Sequence, residues 1–190
     1  MFEWLVIPAA YLLGSVSSGI IVCKLMGFDD PREHGSQNPG ATNVMRVGGK
    51  KAAGITLFSD LLKGLLAVWL AKIVSDSNSI VMLSALAVFL GNLFPVFFNF
   101  KGGKGVATGC GVLLGLSWGL GFVVALTWIA VLKVSKVSSL SALIAGCLTP
   151  IFAWFIVAEP EYIFIATIIS LLSLWRHKAN IMRLAQGTEG

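Results

Sequence analysis

Apolar and polar positions fall along this chain in long blocks. Apolar runs occupy roughly 4–26, 55–74, 80–98, 138–157 and 162–175. Runs of this length suit a hydrocarbon core ~30 Å thick, which takes about 20 helical residues to cross. Between them lie a long polar segment, 28–52, the links S-D-S-N-S (75–79) and A-E-P-E (158–161), and the loop N-F-K-G-G-K-G (99–105). The stretch 106–132 carries no charge but contains a break, G-L-S-W-G-L-G (115–121). The pattern predicts an all-α, polytopic integral membrane protein, a single transmembrane domain over 1–190. The start, M-F-E-W-L-V-I-P, lacks the basic region of a signal peptide and leads directly into the first span.

Charge decides whether 106–132 is one helix or two. Two helices make seven spans and put 28–52, 99–105, 133–137 and 176–190 on one side. Lys24, Arg32, Arg46, Lys50, Lys51, Lys101, Lys104, Lys133, Lys136, Arg176, Lys178 and Arg183 then lie at or near that side, 12 of the 14 basic residues. The opposite links hold Asp76, Glu159 and Glu161, with Lys72 near one of them. One long helix would place Lys133, Lys136 and the basic C-terminus outside, against the positive-inside rule. The expectation is seven transmembrane helices, N-terminus outside and C-terminus cytoplasmic.

Composition agrees. The 190 residues are 56% hydrophobic and 12% charged, against about 45–50% and about 25% in soluble domains. Cys23, Cys110 and Cys147 lie in apolar runs without CxxC spacing and read as packing residues, giving neither a metal site nor a nucleophile. Gly105, Gly109, Gly111, Gly115 and Gly119 form small-xxx-small spacings that let helices approach closely.

Three polar constellations share the basic side. The first, H-G-S-Q-N-P-G-A-T-N-V-M-R (34–46), gathers Ser36, Asn38, Thr42, Asn43 and Arg46; the arginine fork suits phosphate. Its plain alternative is a polar turn with helix caps. The second is the loop after span three. It fails as a Walker motif, because Phe98 and Gly105 stand where glycine and Ser or Thr are needed. Lys101, Gly102, Gly103 and Lys104 can still cradle an anion with backbone N–H groups, charge and the positive end of the next helix. The alternative is a flexible loop with anchoring lysines. The third, R-H-K-A-N-I-M-R (176–183), puts His177 and Asn180 at i, i+3 on one helical face, or is simply a juxtamembrane helix. Asp60 and Lys63 form a pair inside span two, read as structural. Ser138, Ser139 and Ser141 open span six as caps or donors.

The segments G-S-Q-N-P-G-A-T-N-V-M-R, F-P-V-F-F-N-F-K-G-G-K-G-V-A-T-G and R-H-K-A-N-I-M-R-L-A-Q-G-T-E resemble the signature segments of the bacterial acyl-phosphate:glycerol-3-phosphate acyltransferases, the PlsY type. L-F-S-D-L-L-K-G (57–64) and K-V-S-S-L-S-A-L-I-A (136–145) are similar too. The resemblance implies a multi-pass enzyme of the bacterial inner membrane, its active site on the cytoplasmic face. It would move a fatty acyl group from acyl phosphate to the 1-hydroxyl of sn-glycerol 3-phosphate, giving lysophosphatidic acid and phosphate, the first step of phospholipid synthesis. No cofactor, metal, nucleic acid or acyl carrier protein is implied; the partners are the two substrates and membrane lipids. The residues carried over are Ser36 and Arg46, then Gly102, Gly103 and Lys104, then His177 and Asn180. The expected set is thus Ser36, His177 and Asn180 for catalysis, and Arg46, Asn43, Lys101, Gly102, Gly103, Lys104, Ser139 and Ser141 for substrate phosphate. One departure stands in G-N-L-F-P, where the family commonly has histidine and this chain has Asn92. The competing class is an organic-phosphate transporter, whose anion ligands would sit nearer the membrane midplane.

Overall fold

The first apolar run folds as two helices. In the computed structural model, which describes residues 2–189, a 3-10 turn (Phe2–Leu5) leads into α1 (Val6–Ser15), and α2 (Ser18–Leu25) follows a break at Val16 and Ser17. The two axes meet at 44°. The Ser15 hydroxyl donates to Tyr11 O at 2.9 Å, a back-bond of the kind that loosens helices. The single span expected over 4–26 is therefore a bent pair.

Helix α3 (Ala41–Val74) carries the second run and also nearly half of the polar segment. Gly49, at φ 77°, interrupts its helical geometry, so the Arg46 turn forms a separate piece at its base. Then come α4 (Asn78–Leu93), a 3-10 turn (Val96–Phe98), α5 (Val106–Leu116), α6 (Trp118–Ser135), α7 (Ser138–Ile156), α8 (Pro160–Arg176) and α9 (Lys178–Ala185). The break in 106–132 falls at Ser117, whose Oγ accepts the Leu120 N–H at 3.4 Å as a helix cap. Two helices form there, as the charge balance required.

Asn78–Phe98, Trp118–Ser135 and Ser138–Ile156 are each long and apolar enough to cross a membrane, and the bent pair adds a fourth if it counts as one span. Length and apolarity among the described residues thus account for up to four crossings of the seven expected. At 1.5 Å per residue, the 11 residues of α5 extend only about 16 Å.

The helices group into two compact units, one up to Val112 and one from Leu113 on. In the first, α1 packs on α4, and α3 lies against α1, α2 and α4. Here α3 also meets the start of α5 backbone to backbone: a Cβ on Gly64 would strike Thr108 O, and one on Gly111 would strike Leu61 O. Gly111 therefore serves close packing, as its spacing predicted. In the second, α6 packs on α7 and α7 on α8. Small residues such as Ala142, Ala145, Ala153 and Ala166 are buried there, while Phe122, Leu126, Trp154, Phe155, Phe164 and Leu171 point outward. Apolar side chains on the outside and small ones within suit a lipid solvent, where burying Leu gains little.

Candidate functional site

Each unit carries its own part of the expected set. In the first, the segment before α3 is organised by Asn43, 1% exposed. Its Nδ2 donates to Pro31 O at 2.7 Å and His34 O at 3.0 Å, and its Oδ1 accepts the Ser36 N–H at 2.9 Å. Both amide hydrogens go to the loop, so Asn43 positions Ser36 and does not present itself as the phosphate donor that its place in the sequence predicted. Ser36 and Arg46 are exposed. They share one corner: a Cβ on Gly35 would touch Asn43 Oδ1 and lie 3.8 Å from Arg46 Cδ.

Arg32, absent from the expected set, ties this segment to the glycine loop. Its Nη2 bonds Asp30 Oδ2 at 2.6 Å, its Nη1 donates to Phe98 O at 3.3 Å, and its guanidinium carbon lies 5.9 Å from the Phe98 ring centre. The Arg32 hydrogen bonds hold the Asp30 carboxyl below its usual range, and Asp30 in turn raises Arg32.

The glycine loop begins with Asn99 and Phe100, both at positive φ (55° and 58°), a turn held by Phe100 N–H on Pro95 O at 3.0 Å. Lys101 is exposed, Lys104 is half-buried, and Gly102 and Gly103 are buried. The two glycines differ. A Cβ on Gly102 would strike Asn92 O, whereas one on Gly103 meets nothing nearer than Asn92 Nδ2 at 3.4 Å. Gly102 is glycine for the fold; Gly103 leaves space that a methyl group would fill. The loop then delivers Lys104 to the N-terminus of α5, the arrangement that favours anions.

Behind the loop lies the buried pair. Lys63, 5% exposed, places Nζ 2.8 Å from Asp60 Oδ1, a charge contact off the hydrogen-bond line. It donates to Asn92 Oδ1 at 2.8 Å and to Val16 O at 2.9 Å. A separate cavity of about 220 Å³, lined by Ile20, Lys24, Phe28 and Asp30, contains none of the expected residues.

In the second unit the expected single helix over 176–183 is divided: His177 (φ −91°, ψ 6°) closes α8 and precedes α9. His177 and Asn180 are nonetheless both buried, at 3% and 4% exposure. His177 Nδ1 lies 2.8 Å from Ser173 O. A carbonyl only accepts, so Nδ1 carries the hydrogen and Nε2 is the basic nitrogen of the neutral ring. The serines of α7 do not cap it; Val137 takes that position. Ser141 Oγ donates to Val137 O at 2.9 Å, and Ser139 Oγ donates to Glu189 Oε1 at 2.6 Å.

Glu189 is the residue the sequence did not single out. Gly187, at φ 68°, turns the chain back after α9. The carboxylate then collects Ser139, the Asn180 amide and Arg183 Nε, the last at 2.5 Å. Burial pushes its carboxyl up, but the bonds from Ser139, Arg183 and Asn180 outweigh that and bring it to about 2. One Asn180 hydrogen is thereby committed, which fixes how its amide lies. Among the described residues no three His, Cys, Asp or Glu side chains gather as metal ligands would.

A family model described as glycerol-3-phosphate acyltransferase matches residues 4–187. Proteins of that name from Methylococcus capsulatus and Methylobacillus flagellatus are 51% and 52% identical over 98% and 95% of this chain, and 94% and 92% of their own lengths. One from Neisseria meningitidis is 48% identical over 100% of this chain and 96% of its own. Crystal structures of PlsY (YgiH), described as an integral membrane glycerol 3-phosphate acyltransferase, match at TM-scores of 0.95 (glycerol 3-phosphate form) and 0.93 (lysophosphatidic acid form). Both are 36% identical, with 100% of this chain and 95% of theirs covered. All of these proteins bear the name of an acyltransferase, and none that of a transporter.

The Glu189 cluster gives a pH-dependent outcome. A carboxyl lowered from 4.5 to about 2 in the folded state adds stability that is full above the unfolded value and lost as pH falls through the folded one. Melting curves in detergent are expected to show Glu189→Gln less stable than the parent above about pH 4.5. The gap closes toward pH 2; a gap independent of pH would contradict this reading of the cluster.

Proposed function

We propose a specific reaction from the premise that this chain belongs to the glycerol-3-phosphate acyltransferase family, as an integral membrane acyltransferase of phospholipid synthesis. It transfers a fatty acyl group from acyl phosphate to the 1-hydroxyl of sn-glycerol 3-phosphate, releasing lysophosphatidic acid and inorganic phosphate. It works from the cytoplasmic face of the bacterial inner membrane, in a seven-span arrangement with the N-terminus outside. The observation that carries this reading is the glycine loop: room for a methyl group at Gly103 that the glycine leaves unfilled, Lys104 beside it, and a helix N-terminus behind. That combination fits a phosphate group, which both substrates bear. The relatives named for glycerol 3-phosphate, and the PlsY forms described with glycerol 3-phosphate and lysophosphatidic acid, support the acceptor and the product.

The roles are assigned residue by residue. Arg46 and Lys104 neutralise substrate phosphate, with Lys101 adding to the local field and the Gly103 backbone approaching closely. Ser36, held out by Asn43, offers a hydroxyl to the polar end of a substrate. The acceptor hydroxyl oxygen attacks the acyl carbonyl carbon, the bond from that carbon to the phosphate oxygen breaks, and phosphate leaves. A mixed anhydride has a good leaving group, so no covalent enzyme intermediate is needed. Asn180, its amide oriented by Glu189, donates to the oxyanion that forms on the carbonyl. The hydroxyl proton passes to a substrate phosphate, whose second pKa is near 6, and the P–OH so formed donates to His177 Nε2, which orients that phosphate. Ser139 and Ser141 act from within, Ser139 by helping to fix Glu189.

Three measurements test this. Purified protein in detergent is expected to release phosphate from acyl phosphate only when glycerol 3-phosphate is added, in the presence of chelator and without coenzyme A or carrier protein. Comparable rates with acyl coenzyme A, or loss of activity in chelator, would overturn the donor assignment.

Lys104→Ala and Gly103→Ala are each expected to raise the glycerol 3-phosphate KM, the lysine variant about tenfold or more given ~1.5–3 kcal/mol for a charge-assisted contact. Neither is expected to lower the melting temperature by more than a few degrees, since Gly103 has room for a methyl group. Unchanged KM in both would reduce the loop to a membrane anchor.

His177→Gln keeps an amide that can accept or donate a hydrogen bond and removes the titrating ring. Retention of a substantial fraction of kcat is the expected result. Collapse to background with substrate affinity intact would make His177 the base.

A further inference from the structure

The buried lysine under the glycine loop has a geometry that a mere helix strut does not require. An ammonium has three hydrogens and no acceptor. Two of those of Lys63 go to Asn92 Oδ1 and Val16 O, at 2.8 and 2.9 Å, while Asp60 Oδ1 lies 2.8 Å from Nζ as a charge contact off the hydrogen-bond line. Because Lys63 can only donate, the Asn92 side chain must turn its oxygen toward it, and the amide nitrogen must face away. On that far side stands Gly103, whose Cβ position is 3.4 Å from Asn92 Nδ2. The same residue holds the loop through its backbone: Asn92 O accepts the Gly103 N–H at 3.0 Å and abuts Gly102. One buried residue, 8% exposed, thus supports both glycines, and its rotamer is fixed from behind.

We infer that Asn92, oriented by the Asp60–Lys63 pair, is a positioning residue for the glycine loop and sets the geometry in which Gly103 and Lys104 meet substrate phosphate. The inference rests on the acyltransferase reading for its kinetic consequence and on geometry alone for its structural one. Asp60 supplies a countercharge 2.8 Å from Lys63 Nζ, which offsets the cost of placing an ammonium group among apolar helices. The Val16 carbonyl, left outside the helical ladder by the break between α1 and α2, takes the second hydrogen. The chain Val16–Lys63–Asn92–Gly103 therefore connects the bend in the first apolar run to the anion loop through one ammonium group.

Asn92→Leu removes both side-chain contacts and keeps the backbone carbonyl. Asp60→Leu with Lys63→Met removes the charges together, because a lone buried charge threatens folding while an apolar replacement of both partners is often tolerated. Two readouts are taken on each variant and on the triple variant. The first is amide hydrogen exchange of peptides covering 99–105, which needs no turnover. The second is the split between the glycerol 3-phosphate KM and kcat. Loop exchange is expected to speed up about tenfold, with exchange in α7 and α8 unchanged. KM is expected to rise roughly three- to tenfold, the worth of one buried hydrogen bond, with kcat within about twofold. The triple variant is expected to match Asn92→Leu alone, since both changes act through the same amide. Unchanged loop exchange, unchanged KM or additive effects would each overturn the inference. If the parent shows no turnover dependent on glycerol 3-phosphate, the reaction assignment fails, and the exchange measurement still decides whether Asn92 positions the loop. Should Asn92→Leu not fold, the double variant carries both readouts.

Discussion

In an apolar solvent a polar group without a partner costs several kcal/mol, so every donor and acceptor inside a membrane-type fold must be accounted for. Lys63 is where that constraint bears hardest on this molecule. Its ammonium lies among helices, its countercharge is three residues earlier on the same helix, and two of its hydrogens go to a carbonyl freed by a broken helix and to a side-chain amide. The break at Val16–Ser17, the pair within α3 and the residue beneath the glycine loop are consequently one arrangement. A buried ion pair is weak evidence for stability, since apolar residues of similar volume often do as well. What the pair provides here is direction, because the two hydrogen bonds of the ammonium specify where two acceptors must be.

The second unit applies the same accounting with the opposite sign. Glu189 is a carboxylate that gathers three donors, from α7, from α9 and from the last turn of α9. In the first unit a cation collects acceptors; in the second an anion collects donors. Each centre lies directly behind a residue assigned to substrate: Gly103 in one case, Asn180 in the other. Rigidity at these points matters because a misplaced donor loses much of its effect on a developing charge.

The helices were largely legible in the sequence because hydropathy blocks and the basic bias report directly on what lipid and the membrane faces tolerate. The division of 106–132 was legible for the same reason: only two helices place Lys133 and Lys136 with the other basic residues. The glycine loop stood out because its composition is foreign to its flanks. The bend in the first run left no mark, since Val16 and Ser17 carry neither charge nor proline. The sequence also showed Asp60 with Lys63 at helical spacing but could not show Asn92, 29 positions from Lys63, completing the set. Glu189 was missed because its partner Ser139 lies 50 positions away and the turn at Gly187 is too short to advertise itself. The serines opening α7 look like caps by composition. Their hydroxyls are drawn elsewhere, one by a carboxylate and one by the helix backbone.

Helix α6 has only 17% of its span buried, and Trp118, Phe122, Leu126, Ile129 and Val134 all face away from the protein. A surface of that kind is judged by hydrophobicity and hardly at all by shape. Exchanges among Leu, Ile, Val and Phe on it leave the transfer free energy nearly unchanged, so selection holds the helix to a composition while its individual letters drift. Such a helix can therefore lose its letters without losing its place in the fold.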